Sequence, residues 1–135
     1  MKDRVFIDTN VFVYLYSEDE LTKRMVAINL LEQFHCLTST QTLNEFCSVC
    51  LRKLKIPGKT VWNSIKEIID ECELCYINTE TVEKALMLHD KYGYAYYDCL
   101  ILASAMFNDC KYLFSEDMQN RQVIEGILTI KNPFI

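Results

Sequence analysis

The sequence is poor in glycine and proline and contains no long hydrophobic run. Three glycines and two prolines occur in 135 residues, which favours regular helices and strands with short connections over a sandwich or barrel with many turns. The longest apolar stretch near the C-terminus, residues 99–107, is too short to cross a bilayer. The apolar run after the charged start is interrupted by Asp8, so it cannot serve as the hydrophobic part of a signal peptide. We therefore expect a cytoplasmic protein that does not associate with membranes.

Basic residues are also scarce. The chain has 14 Lys and Arg against 19 Asp and Glu, a net charge of −5, which excludes a broadly basic nucleic-acid-binding protein. A local basic patch is still sufficient for contacts with phosphate groups. Eight consecutive residues contain four cations and no acid, and these cations are the candidate residues for binding a nucleic-acid backbone: Arg52, Lys53, Lys55 and Lys59.

Composition and length indicate one folded domain that covers residues 1–135. Half of the residues are hydrophobic and 24% are charged, a balance typical of globular proteins. The predicted strands cover residues 5–7, 36–38, 74–77, 111–114 and 127–130. The predicted helices cover residues 20–34, 40–54, 62–69, 79–91 and 98–107. This alternation predicts an α/β fold of three layers, with a short parallel sheet covered by helices on both faces.

Four acids stand at positions where such a fold places its chemistry. Asp8 and Asp117 directly follow predicted strands, and functional groups of parallel sheets gather at the carboxyl ends of the strands. Glu45 and Asp98 lie on predicted helices. Carboxylates that converge without cations repel one another unless metal ions lie between them, and oxygen ligands suit Mg²⁺ or Mn²⁺. Spacing alone does not bring these four acids into one pocket, and Asp117 also fits an ordinary turn.

The other three acids have structural interpretations too. Asp8 is suited to cap a following turn. Asp98 is suited to cap its own buried helix and to complement the helix dipole. Glu45 stands three residues after Thr42, which matches a capping box. A rival box begins at Thr38 and would place Glu45 in the second turn of the helix.

Local sequence strings resemble the PIN-domain family. Residues 5–14, VFIDTNVFVY, look like the opening strand and Asp-Thr-Asn turn of PIN domains, and residues 96–105, YYDCLILASA, resemble the helix that carries the third acid. Residues 113–120, LFSEDMQN, are close to the Ser-Glu-Asp-hydrophobic-Gln segment of many VapC-type toxins. Glu45 is placed mainly by its order along the chain. The chain departs from many VapC-like sequences at Asn120-Arg121, where these have His-Gly or Asp-Gly.

The resemblance implies a particular set of site residues. Mg²⁺ or Mn²⁺ would be bound by Asp8, Asp98 and Asp117, with Glu45 as a ligand or as the group that orients water. Glu116 would be an extra ligand or, more simply, a solvated surface acid. Supporting polar groups would come from three residues that otherwise fit turns and caps: Thr9, Asn10 and Ser115.

The resemblance also implies a function and partners. The chain would be a PIN-like endoribonuclease that hydrolyses RNA to 5′-phosphate and 3′-hydroxyl ends without a covalent intermediate. It would be the toxin of a toxin–antitoxin pair, with a cognate antitoxin as partner and a homodimer as the assembly. The alternative within the family is an RNA-processing nuclease that has no antitoxin.

A zinc-stabilised binding module is the alternative from a different class. Among seven cysteines, Cys47 and Cys50 form one Cys-x-x-Cys pair, and Cys72 and Cys75 form another. The 21 residues between the pairs lie just outside the usual range for zinc ribbons. The first pair falls inside a predicted helix and contributes to its apolar face. We therefore favour reduced cysteines that pack as small hydrophobic side chains.

Overall fold

The computed structural model describes residues 1–135, which form six strands and six helices. The strands are β1 (Arg4–Ile7), β2 (His35–Ser39), β3 (Glu73–Cys75), β4 (Tyr112–Phe114), β5 (Val123–Ile124) and β6 (Leu128–Lys131). The helices are α1 (Thr9–Leu15), α2 (Leu21–Gln33), α3 (Thr40–Arg52), α4 (Gly58–Glu71), α5 (Thr79–Tyr92) and α6 (Tyr96–Phe107).

All six strands belong to one sheet, in the order β3-β2-β1-β4-β6-β5. Every pair is parallel except β5 with β6, which is antiparallel. Strand β1 is central, and Phe6 pairs with Leu37 of β2 and with Leu113 of β4. The chain builds outward from β1 through β2 and β3 on one side and then returns to β4 on the other. The carboxyl ends of β1 and β4 therefore flank a topological switch point, where α/β proteins bind ligands.

Helices cover both faces of the sheet, because side chains of a strand point alternately to its two faces. In β1, Val5 and Ile7 join a core with helices α1 to α4, whereas Phe6 joins the opposite core with α5 and α6. The side chains of Val5, Phe6 and Ile7 are fully buried. The predicted α/β architecture, with a mostly parallel sheet between two helical layers, is confirmed.

Helix α4 begins at Gly58, four residues before its predicted start, and three further elements differ from the prediction in an informative way. The turn expected at residues 8–10 continues as helix α1, which the β-branched and aromatic residues Val11, Phe12 and Val13 do not favour intrinsically. Burial of Val11 and Phe12 against the sheet supplies the stability that propensity does not. Strand β5 was not predicted, because its two residues are too few for a periodic pattern. Helix α6 begins at Tyr96, two residues before the predicted start.

None of the helices combines the length and the apolar character that are needed to span a bilayer.

Candidate active site

The carboxyl ends of β1 and β4 bring Asp8 and Ser115 together. Asp8 is the N-cap of α1, and its Oδ1 atom accepts a hydrogen bond of 2.6 Å from the Thr9 backbone amide. Its Oδ2 atom accepts a 2.7 Å hydrogen bond from the Ser115 hydroxyl. The capping interpretation of Asp8 is therefore confirmed, but the cap also anchors a wider network at the switch point.

Asp117 joins this network through two contacts. The Asp117 backbone amide donates to the Ser115 hydroxyl at 3.3 Å, and the Asn10 side-chain amide donates to Asp117 Oδ2 at 2.6 Å. The carboxylate itself is exposed. Asp117 is thus more than an ordinary turn residue, because a side chain from α1 fixes the direction of its carboxylate.

Glu45 reaches the same place from the second turn of α3. The N-cap of this helix is Ser39, whose hydroxyl accepts from the Thr42 amide at 3.2 Å. Neither predicted capping box is therefore correct, although Glu45 does lie in the second turn. Its Oε2 atom accepts a 3.0 Å hydrogen bond from the Thr9 hydroxyl.

Gln41 is a site residue that the sequence interpretation missed. Its side-chain amide donates both to Glu45 Oε1 and, at 3.2 Å, to the carbonyl of Tyr97. It therefore connects Glu45 with the first turn of α6, where Asp98 stands. The signal was available, since residues four apart face each other on a helix and a Gln–Glu pair at that spacing forms hydrogen bonds.

Asp98 is the acid with no partner. It is the third residue of α6, whose N-cap is Ala95, so the capping interpretation of Asp98 is wrong. An acid in the first turn still interacts favourably with the helix dipole. The half-buried carboxylate takes part in no side-chain hydrogen bond and no ion pair among those of the structure. It is therefore free to bind a ligand.

The four acids influence one another electrostatically. Burial raises the pKa of Asp8 from 3.8 to about 6, and the negative charges of Glu45 and Asp98 act in the same direction. Burial also raises the pKa of Asp98, together with the charges of Asp117 and Glu45. The structure thus brings all four predicted acids to one edge of the sheet.

The donor set fits a hard divalent cation. None of the six ion pairs of the structure includes Asp8, Glu45, Asp98 or Asp117, and all of their hydrogen-bond donors are uncharged. The buried Oε1 atom of Gln41 also lacks a hydrogen-bond partner beside Glu45. The site therefore contains repelling carboxylates that a cation would stabilise.

No three His, Cys, Asp or Glu side chains are arranged closely enough to hold a metal ion on their own. Mg²⁺ often binds through one or two carboxylates and keeps several waters, so this arrangement suits a hydrated ion better than a closed protein cage. Direct ligation by all three of Asp8, Asp98 and Asp117 stays a prediction.

Glu116 is neither a free ligand nor a solvated acid. Its carboxylate accepts hydrogen bonds from Lys23 at 2.6 Å and from Tyr14 at 2.7 Å. Only 24% of the Glu116 side chain is exposed. The expectation of a solvated surface acid is therefore wrong, while a role of Glu116 as an extra ligand stays a prediction.

The loop after Asp117 keeps a glycine-like conformation without glycine. Arg121, at the position where the chain departs from many VapC-like sequences, has a φ of 71°, in the left-handed region that favours glycine. Its backbone amide donates to Ile130 at 2.7 Å, and Asn120 accepts from the Asn132 amide at 2.8 Å. These hydrogen bonds to β6 and the C-terminal tail fix the positions of Asn120 and Arg121, the two residues that differ from many VapC-like sequences.

The predicted basic patch lies at the far end of the helix that carries Glu45. Arg52 ends α3, seven residues after Glu45, or roughly 10 Å along the helix axis. The patch continues through the following connection into α4. All four side chains are exposed and form no ion pair, so they are available to a ligand: Arg52, Lys53, Lys55 and Lys59.

The two Cys-x-x-Cys pairs are not assembled into a zinc site. Cys47, Cys50 and Cys72 pack with the core on the α1–α4 side of the sheet, whereas Cys75 belongs to the core on the opposite side. No group of three potential metal ligands includes any of them. The seven thiols are free and mostly buried, which is the packing role that we expected.

The sequence matches the family model described as PIN domain over residues 5–124. Because this match covers most of the chain, the chain belongs to the PIN domain family. Members of the family are nucleases, and they generally use divalent metal ions. No curated protein sequence is significantly similar to the chain.

Solved structures share the fold at low sequence identity. A toxin–antitoxin complex from Klebsiella pneumoniae is 20% identical, with a TM-score of 0.70 over 96% of this chain and 97% of that chain. VapC20 from Mycobacterium tuberculosis, a sarcin-ricin loop cleaving toxin, is 17% identical, with a TM-score of 0.67 over 84% and 91%. VapBC2 from Rickettsia felis, bound to a promoter DNA fragment, is 14% identical, with a TM-score of 0.68 over 96% and 99%. The expected resemblance to PIN domains and their VapC-type members is confirmed.

Proposed function

We propose that this chain is a Mg²⁺- or Mn²⁺-dependent endoribonuclease and the toxin of a toxin–antitoxin pair. The single observation that carries the proposal is the set of four uncompensated acids at the switch point: Asp8, Glu45, Asp98 and Asp117. A carboxylate site of this kind suits hydrolysis of a phosphodiester, because bound divalent ions activate water and stabilise the developing negative charge. The zinc-stabilised module has no assembled site to support it.

The residues of the chain have distinct roles in this proposal. Asp98 and Asp117 offer carboxylate oxygens to the ion, while buried Asp8 contributes negative charge and is fixed by Thr9 and Ser115. The Asn10 side-chain amide fixes the orientation of the Asp117 carboxylate. Water attacks the phosphorus atom and passes a proton to Glu45. The bond between phosphorus and the 3′ oxygen breaks, and the 3′ oxygen takes up a proton from solvent, which gives 5′-phosphate and 3′-hydroxyl ends.

Glu45 suits the role of orienting the attacking water. Its two oxygens are held by the Thr9 hydroxyl and by the Gln41 amide, which leaves remaining lone pairs for a water molecule. A carboxylate within hydrogen-bond reach of the attacking water can act as the general base that accepts its proton.

The structural neighbours support the toxin part of the proposal. Two of them are described as toxin–antitoxin or VapBC assemblies, and a third as a sarcin-ricin loop cleaving toxin. By analogy, we propose that the protein is cytoplasmic, forms a homodimer and binds a cognate antitoxin. We also propose that residues 1–135 act as one domain. An RNA-processing nuclease without an antitoxin is the second candidate.

Expression in a bacterial host separates these two candidates. The wild-type chain is expected to arrest growth, and Asp98→Asn to leave growth unaffected. The exposed Asp90 of α5 lies outside the site, so Asp90→Asn is the matched control and should arrest growth like the wild type. A wild type that cleaves RNA when purified but does not slow growth would favour the processing nuclease.

The basic patch is proposed to bind the RNA backbone. The double variant Arg52→Gln, Lys53→Gln should bind single-stranded RNA more weakly, and its log–log salt dependence should flatten by about 0.7 for each phosphate contact that is lost. The control is Lys2→Gln, Lys111→Gln, which removes two charges at the amino-terminal edge of the sheet. The measurement is the RNA-binding constant of each double variant over a range of salt concentrations. Equal slopes in both double variants would rule out the patch.

A further inference from the structure

Glu116 is the centre of a three-residue cluster beside the proposed active site. Lys23 donates to its Oε2 atom at 2.6 Å and Tyr14 to its Oε1 atom at 2.7 Å. Lys23 also donates to the Tyr14 hydroxyl at 3.1 Å. We refer to these residues as the Tyr14–Lys23–Glu116 cluster. Each of its members contacts the other two.

The cluster is connected to Asp117 through helix α1. Asn10 and Tyr14 are one helical turn apart, so they lie on the same face of α1. Asn10 donates to Asp117 while Tyr14 donates to Glu116. Two successive acids of the chain are therefore held by two successive turns of one helix.

The cluster is also supported from behind. The Phe134 ring packs edge-on against the Tyr14 ring at a centroid distance of 5.0 Å. The Lys23 ammonium lies 4.5 Å from the Tyr14 ring centroid and 5.4 Å from that of Phe134. The Lys23 side chain is only 31% exposed. An ion pair that is partly shielded from water and held on several sides keeps a more defined geometry than an ordinary surface pair.

We propose that the Tyr14–Lys23–Glu116 cluster positions the carboxylate of Asp117 for metal binding and keeps Glu116 from competing for the ion. This inference rests on the proposed metal-dependent function. The three residues act through their neighbours and are positioning residues. Without Lys23 and Tyr14, Glu116 would be a free carboxylate next to Asp117, and the segment from Ser115 to Asp117 would lose its attachment to α2.

The sign of one substitution separates positioning from simple electrostatics. Lys23→Met removes a positive charge near the site, so electrostatics alone predicts tighter binding of a cation. Positioning predicts weaker binding. Tyr14→Phe changes no charge at all, so any loss of metal affinity in that variant comes from the lost hydrogen bond.

The protein contains a matched control for this test. Tyr92 and Lys91 donate to Glu125 at 2.8 and 2.5 Å, which repeats the Tyr–Lys–Glu arrangement at the β5–β6 hairpin. None of these residues bonds to a member of the proposed site. Tyr92→Phe and Lys91→Met therefore remove the same chemical groups elsewhere in the molecule.

The experiment is calorimetric titration of the metal-free full chain with Mn²⁺ alone. Supporting groups of metal ligands typically contribute about 10–100-fold in affinity, so we expect Lys23→Met and Tyr14→Phe each to weaken Mn²⁺ binding about tenfold. Lys23→Arg should retain most of the affinity, and the two control variants should match the wild type. If either Lys23→Met or Tyr14→Phe fails to fold, the other variant still tests the proposal.

Three outcomes would overturn the proposal: tighter Mn²⁺ binding by Lys23→Met, wild-type affinity in Tyr14→Phe, or equal losses in the control variants. A wild type that binds no Mn²⁺ would instead contradict the proposed function itself. Failure of the positioning role and failure of the metal-dependent function are therefore distinguishable.

Discussion

Asp8→Asn and Asp98→Asn are each expected to lose RNA cleavage by at least about a hundredfold, since even the partners of metal ligands typically contribute about 10–100-fold. The metal-free variants should keep the fold and melt at the same or a higher temperature, because each substitution removes one of several repelling charges. Asparagine caps helices about as well as aspartate, so the Asp8 variant retains its bond to the Thr9 amide.

Melting curves with and without Mn²⁺ provide the measurement. Metal binding to the folded state raises the melting temperature of the wild type by linkage, and the increase should be smaller in both variants. Asp90→Asn is again the control, with a wild-type response. If the variants melted earlier with an unchanged Mn²⁺ response, these acids would be structural residues without a role in metal binding.

The gain in folding stability that Asp8→Asn produces should depend on pH. Burial raises the pKa of folded Asp8 from 3.8 to about 6, so between these values the folded protein holds a proton that the unfolded chain has released. Stability therefore falls as pH rises through this window. A shift of about two pKa units corresponds to about 3 kcal/mol. The asparagine variant cannot ionise and escapes this loss.

The comparison of the wild type with Asp8→Asn isolates this effect. Other acids titrate in the opposite sense, since ion pairs lower the pKa of Glu73 and Glu125, but they are common to both proteins. Denaturation in metal-free buffer should give nearly equal stabilities near pH 4. By pH 7 the variant should exceed the wild type by up to about 3 kcal/mol. If the difference in unfolding free energy between the variant and the wild type were constant from pH 4 to 7, it would not arise from repulsion and burial of the Asp8 charge.

Much of the architecture follows from local patterns in the sequence. Strand β1 was recognised because three apolar residues precede Asp8, and the parallel sheet followed from alternation of strands and helices. The position of Asp8 and Asp117 at strand ends then placed the site. Glu45 lacked such a signal, because a helical acid is drawn to the site only by how α3 packs in three dimensions.

The long-range contacts that hold the site are not predictable from local patterns. Lys23 and Glu116 are separated by 93 residues along the chain, and nothing near either residue indicates its partner. The Asn10–Asp117 bond depends in turn on α1, whose residues favour strands by propensity. Tertiary packing determines both, so a single sequence reveals the acids but not what orients them.

Metal-dependent hydrolysis is tested most directly by the ends of the RNA fragments. The purified chain is incubated with a labelled single-stranded RNA in Mn²⁺ or in EDTA, beside Asp98→Asn. We predict cleavage by the wild type in Mn²⁺ alone, with 5′-phosphate and 3′-hydroxyl ends, and no cleavage by the variant. Fragments with 2′,3′-cyclic phosphate ends, formed equally in EDTA and by Asp98→Asn, would contradict a metal-dependent carboxylate nuclease.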